Sequence, residues 1–185
     1  DGRHDPQWGW ICLTEISLYD VASDFTAFAN GEKSTWKIID GNVKREKGKV
    51  ILTSSSGKMP VIASTPDAET PVFALNPGDK VRIEITVTGK DENTHDLQLK
   101  IHEYQAYATD KNGKQKVKRS GFLGGRKLRI TPLTSFKTGK RKMIAIWHFT
   151  AGKDTGLIVP EISLSGNGEL EINGITMKLE QKGNK

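Results

Sequence analysis

A chain of 185 residues and 20.4 kDa suits one domain, or one domain with a short appendage, and is long enough to fold without a metal or disulfide staple. Its 35% hydrophobic and 27% charged residues are those of a soluble globular protein, and no apolar run approaches the roughly 20 residues of a membrane helix. The formal net charge is +6, and one cysteine, Cys12, excludes an internal disulfide framework and a cysteine-based zinc site.

Taken in chain order, Asp1 to Trp8 carry no basic-then-apolar leader pattern and no initiator Met, so a processed or excised chain is expected. Asp5–Asp20 is the only stretch read as helix or linker, and Pro6 and Gly9 argue against an early helix. Candidate strands follow at Trp36–Ile39, Val43–Arg45, Val50–Thr53, Val61–Ala63 and Val72–Leu75. Asn76-Pro77-Gly78-Asp79 is a turn. After it, Val81, Ile83, Ile85 and Val87 alternate with polar residues on a half-buried strand. Leu97, Leu99 and Ile101 form the buried side of the next strand, with Gln98, Lys100 and His102 facing the other way. Asn112-Gly113 centres a hairpin turn, and Leu128 and Ile130 open a strand that Pro132 closes. Met143 to Phe149 divides Ile144 and Ile146 from Met143, Ala145, Trp147 and Phe149. Short strands around Ile162–Leu164, Leu170–Ile172 and Ile175–Leu179 finish the chain, with turns expected at Gly166-Asn167-Gly168 and Asn173-Gly174. Eight to ten short strands with turn residues between them point to an all-β, antiparallel β-sandwich or barrel.

Three segments carry a family resemblance. Leu75-Asn76-Pro77-Gly78-Asp79-Lys80-Val81-Arg82-Ile83 resembles the V-x-P-G opening strand of jelly-roll carbohydrate-binding modules. Leu99 to Tyr104 with Asp110 to Gly113 resembles their strand and D-x-x-G-K hairpin. Trp147-His148-Phe149-Thr150-Ala151-Gly152, Val159-Pro160-Glu161-Ile162 and Gly168 to Leu179 resemble their closing strands. Such modules occur in polysaccharide-degrading enzymes and in phage tail-fibre and baseplate proteins. The resemblance implies a jelly-roll sandwich over 21–181, preceded by an extension or linker (1–20) and followed by a tail (182–185). Asn173 stands where the family often has Asp, which puts a structural calcium in doubt; Asp24, Glu169 and Glu171 are the remaining oxygen donors.

The charge is unevenly placed. From Thr109 to Lys142 there are twelve basic residues and one acid, Asp110, so a mildly acidic domain carries a strongly basic third. Such a stretch attracts phosphates, sulfates or carboxylates, or else is a solvated face with no partner. Sugars are held by aromatic rings stacked on the pyranose and by amides, carboxylates and guanidinium groups on its hydroxyls. Gln98, His102, Tyr104 and Tyr107 fit that description, with Arg119, Phe122, Arg126 and Arg129 in or beside the glycine-rich basic loop. The plainer readings are a polar solvent face for the first group and a hydrophobic plug for Phe122. Trp36 and Trp147 read as core, and Cys12 as a buried small hydrophobe. His4, His95, His102 and His148 lack zinc-ligand spacing. No catalytic signature is present: Gly121–Gly125 lacks the Lys-Ser/Thr of a phosphate loop, Ser54–Gly57 lacks a nucleophile elbow, and Glu32, Glu84, Asp96 and Glu103 are carboxylates such as any sandwich surface offers.

The expectation is therefore a non-catalytic carbohydrate-binding module for an acidic or phosphorylated cell-surface or cell-wall glycan, without cofactor or membrane insertion, in a larger extracellular or virion protein. The alternative is a structural module of a viral fibre or baseplate, with the basic loop against another subunit and Trp8 and Trp10 at an interface. A nucleic-acid reading is weaker, because the aromatics are few and outside any RNA-binding strand motif.

Overall fold

Alternation with a period of two decides the layers. The computed structural model describes residues 21–55, 57–64, 73–92, 95–105, 108–109, 115–116, 126–132 and 136–180, so the expected extension (1–20) and tail (182–185) lie outside it. One helix, α1 (Val21–Asn30), is followed by β1 (Trp36–Asp40), β2 (Asn42–Glu46), β3 (Lys49–Ser54), β4 (Val61–Ser64), β5 (Phe73–Ala74), β6 (Lys80–Gly89) and β7 (His95–Gln105). Then come β8 (Ala108–Thr109), β9 (Gln115–Lys116), β10 (Arg126–Pro132), β11 (Phe136–Thr138), β12 (Lys142–Thr150), β13 (Leu157–Ser165) and β14 (Gly168–Leu179).

All described pairings are antiparallel. The first sheet runs β1-β4-β13-β7-β10, with β11 also on β7 and β5 on β13; the second runs β12-β6-β14-β3-β2. The two stack as a jelly-roll-like sandwich, as expected. Val81, Ile83, Ile85 and Val87 from β6 meet Leu97, Leu99 and Ile101 from β7 in one core, and every one of these is fully buried. Burying each such side chain contributes about 1.5–3 kcal/mol. Trp36 and Trp147 are core residues, as their alternation indicates, while Ile144 and Ile146 face outward. β8 and β9 pair with each other, as expected of the segments flanking Asn112-Gly113, which itself lies outside the described residues.

One expectation is corrected and one segment is added. Asp5–Asp20, the stretch read as helix or linker, lies outside the described residues, while the helix that is described, α1, is one the sequence reading did not expect. Val21, Phe25, Phe28 and Ala29 lie on one face at helical spacing and are buried, with Phe25 edge-on to Trp36 at 5.7 Å. Gly31, at φ +82°, closes the helix: its N–H reaches the Phe28 carbonyl and that of Glu32 reaches Ala27, the Schellman pattern that favours glycine. The Asp24 carboxylate then accepts from the Thr35 N–H (3.0 Å) and hydroxyl (2.5 Å), tying α1 to the start of β1. The correction concerns Asn173-Gly174. It is not a turn but a β-bulge inside one twelve-residue strand, where the register of β14 on β6 shifts. Gly168, at φ +141°, packs so closely that a Cβ there would overlap the His95 ring and the Asp91 carboxylate. Only glycine lets β14 start against that pair.

Candidate functional site

The outer face of the first sheet is built by register. β13 lies beside β7 with Leu157 opposite Tyr104, Val159 opposite His102, Glu161 opposite Lys100, Ser163 opposite Gln98 and Ser165 opposite Asp96. Because Leu97, Leu99 and Ile101 point into the core, the even-numbered residues of β7 and the odd-numbered residues of β13 share the other face. Gln98 and His102 are thus brought together as expected, and two groups not singled out from the sequence join them, Lys100 and Glu161.

Glu161 is the centre of this strip. One carboxylate oxygen accepts from the Lys100 ammonium at 3.2 Å and the other meets His102 Nε2 at 2.9 Å. Burial pushes the Glu161 carboxyl up, but the hydrogen bonds from Lys100 and His102 outweigh it and hold the group below the usual carboxylate range. Further along, the Gln98 amide donates to the Ser165 hydroxyl at 3.4 Å. One oxygen of Asp96 is shielded and has no partner among the described residues. Amide, ammonium, imidazole, carboxylate and hydroxyl lie in one half-buried row. Such a row can exchange its internal hydrogen bonds for those of a polyhydroxylated ligand.

Tyr104 does not sit in that row as an open platform. It is only 4% exposed, packed with Leu157 and Val159 in a small cluster, and burial raises its hydroxyl pKa. Tyr107, Arg119 and Phe122 lie outside the described residues. Arg126 and Arg129 are on β10, where Arg126 pairs with Gln105 and, after a bulge, Arg129 occupies the register position opposite Glu103. Glu103 is not the surface carboxylate its sequence neighbourhood implies: it is fully buried and accepts from the Thr155 hydroxyl at 2.6 Å.

Two of the three oxygen donors weighed for calcium, Asp24 and Glu171, are engaged elsewhere. Asp24 binds Thr35, and Glu171 accepts from Lys49 and Lys90, both at 2.6 Å. Asn173 donates its amide to Thr88. Among the described residues no group of three His, Cys, Asp or Glu could hold a metal. Lone charges inside an otherwise apolar strand, such as Glu161 in Leu157–Leu164, were the signal available for the residues that sequence reasoning missed.

No family model and no curated protein matches the sequence. The fold is similar to the enzymatically active domain of tailspike protein 4 from bacteriophage CBA120, at 12% identity and TM-score 0.52, over 89% of this chain and 21% of that one. The chain therefore spans about a fifth of the tailspike's length. It is also similar to the C-terminal family 22 carbohydrate-binding module of Clostridium thermocellum Xyn10B (9% identity, TM-score 0.46, 88% of this chain and 94% of that one). A family 16 carbohydrate-binding module matches at 13% identity and TM-score 0.42, over 70% of this chain and 75% of that one. Carbohydrate-binding modules and a phage tail domain are thus both among its structural neighbours, as the sequence resemblance implies.

Proposed function

We propose that this chain is a non-catalytic carbohydrate-binding module, working at an extracellular or virion surface. The observation that carries the reading is the row Gln98, Lys100, His102, Glu161 and Ser165 on one sheet face, set in a fold shared with modules of that kind. A sugar hydroxyl pair would accept from Lys100 and donate to Glu161, with Gln98 and His102 on neighbouring hydroxyls. Tyr104 would support the row from below. Acidic glycans would be drawn by the basic stretch, with Arg119, Arg126 and Arg129 reading carboxylate, sulfate or phosphate in bidentate fashion; Tyr107 and Phe122 would add ring contacts from the same region.

A glycan array probed with the chain at two salt concentrations tests this. Binding to acidic glycans that weakens steeply with salt supports the whole reading. Salt-insensitive binding to neutral glycans keeps the sheet face and removes the charge component, as does unchanged affinity when Arg119, Arg126 and Arg129 are all replaced by Ala. A blank array moves the weight to an assembly role.

A further inference from the structure

A sheet that does not close on itself leaves edges, and native proteins blunt them with charges, proline, bulges or shortness. Three edges of this sandwich are blunted. β2 has five residues and carries Lys44, Arg45 and Glu46. β1 is equally short, with a bulge between Ile38 and Asp40. β10 carries Arg126, Lys127 and Arg129, is broken by a bulge and ends at Pro132.

Between its ends β12 has no bulge, and its one ionisable side chain there, His148, is paired with Glu180 of its own chain at 2.8 Å. It runs nine residues in unbroken register on β6, from Lys142↔Thr88 to Thr150↔Lys80, and among the described residues it pairs with β6 alone. It contains neither proline nor glycine. Its outer side chains include Ile144 and Ile146, 55% and 43% exposed. Among the described residues no strand pairs with the outward backbone groups of Ile144, Ile146 and His148, and such a row beside an aliphatic stripe fits one kind of partner, another extended strand.

We propose that the partner is β12 of a second copy of this chain, paired antiparallel about a two-fold axis through Ile146. In that register Ile146 meets Ile146, Ile144 meets His148 and Lys142 meets Thr150 on the outer side. On the core side Ala145 meets Trp147 and Met143 meets Phe149, small or flexible against large. No like charges stand opposite one another. The two five-stranded sheets become one ten-stranded sheet through an isologous contact.

Sedimentation of the whole chain over a wide dilution series tests the proposal. A concentration-dependent dimer is expected. Ile146→Lys, which sets two ammonium groups face to face on the axis, should weaken it at least about tenfold, while Ile38→Lys on β1 leaves it unchanged. In a Cys12→Ser background, Ile146→Cys should cross-link under mild oxidation, since directly opposed residues lie about 4.5–5.5 Å apart at Cα. Ile144→Cys should not, because the two copies of residue 144 would be about 13 Å apart. A monomer at every concentration overturns the proposal. So does a dimer indifferent to Ile146→Lys or dissolved by Ile38→Lys, or cross-linking through Ile144→Cys. Should Ile146→Lys fail to fold by circular dichroism, the cysteine pair decides.

Discussion

Each outer face of the sandwich carries a largely buried carboxylate between two nitrogen-bearing side chains, and the two triads differ in how they are tied into their sheets. On the second sheet Glu171 (β14) is 7% exposed and accepts from Lys49 and Lys90 at 2.6 Å each. Glu46 and Lys44 extend that network across β2 and β3. On the first sheet Glu161 (β13) is 19% exposed, and its partners Lys100 and His102 stand at 3.2 and 2.9 Å. The lysines on Glu171 come from β3 and from the chain just after β6, one on either side of β14, so that triad spans three neighbouring strands. The partners of Glu161, Lys100 and His102, come from one strand beside β13. The first triad is therefore the wider brace. The second joins two strands only, and on the proposed function its groups trade partners with a ligand.

That contrast can be broken by removing each carboxylate in turn. Glu171→Ala leaves two ammonium groups with only Glu46, 3.9 Å from Lys49, as a nearby anion, and should cost about 2 kcal/mol in urea denaturation. Glu161→Ala should cost under about 1 kcal/mol of stability while weakening glycan binding about tenfold, or about 1.4 kcal/mol. Equal losses of stability from the two variants would end the distinction.

The acid limb sharpens it further. In both carboxyls burial raises the pKa, yet hydrogen bonds from the flanking side chains prevail, so the folded value lies below the ordinary 4.5. A depressed folded pKa means stability that is complete above the unfolded value and is lost as pH falls through the folded one. Stability measured from pH 6 downward should therefore decline below about pH 4.5. Glu171→Gln should flatten that decline more than Glu161→Gln, because its two lysine contacts are the shorter ones.

Much of the sandwich was legible because strand alternation is local. Val81 to Val87 and Met143 to Phe149 announce their faces without reference to any partner. The helix was missed because Val21, Phe25, Phe28 and Ala29 make a short stripe interrupted by β-branched Thr26. Asn173-Gly174 misleads because bulges and turns draw on the same residues. The site was legible on one strand only: Gln98 and His102 lie on β7, whereas Glu161 is about sixty positions away and acquires its meaning from the register that sets it opposite Lys100. Glu103 shows the same limit, since its partner Thr155 is also remote in sequence.

The smallest expected effect concerns Tyr104, where the sequence-based and structure-based readings part. An exposed tyrosine on a sugar-binding face stacks its ring and offers its hydroxyl, and losing the hydroxyl then costs several-fold in affinity. Here the ring is enclosed with Leu157 and Val159, so its contribution is to packing, which phenylalanine preserves. Tyr104→Phe should leave glycan affinity within about twofold and change stability by less than about 0.5 kcal/mol. Tyr104→Ala, by contrast, removes a buried ring and should cost about 3 kcal/mol or more. An isothermal titration of Tyr104→Phe that lost affinity as Glu161→Ala does would return the tyrosine to the ligand and make the buried end of the strip part of the binding face.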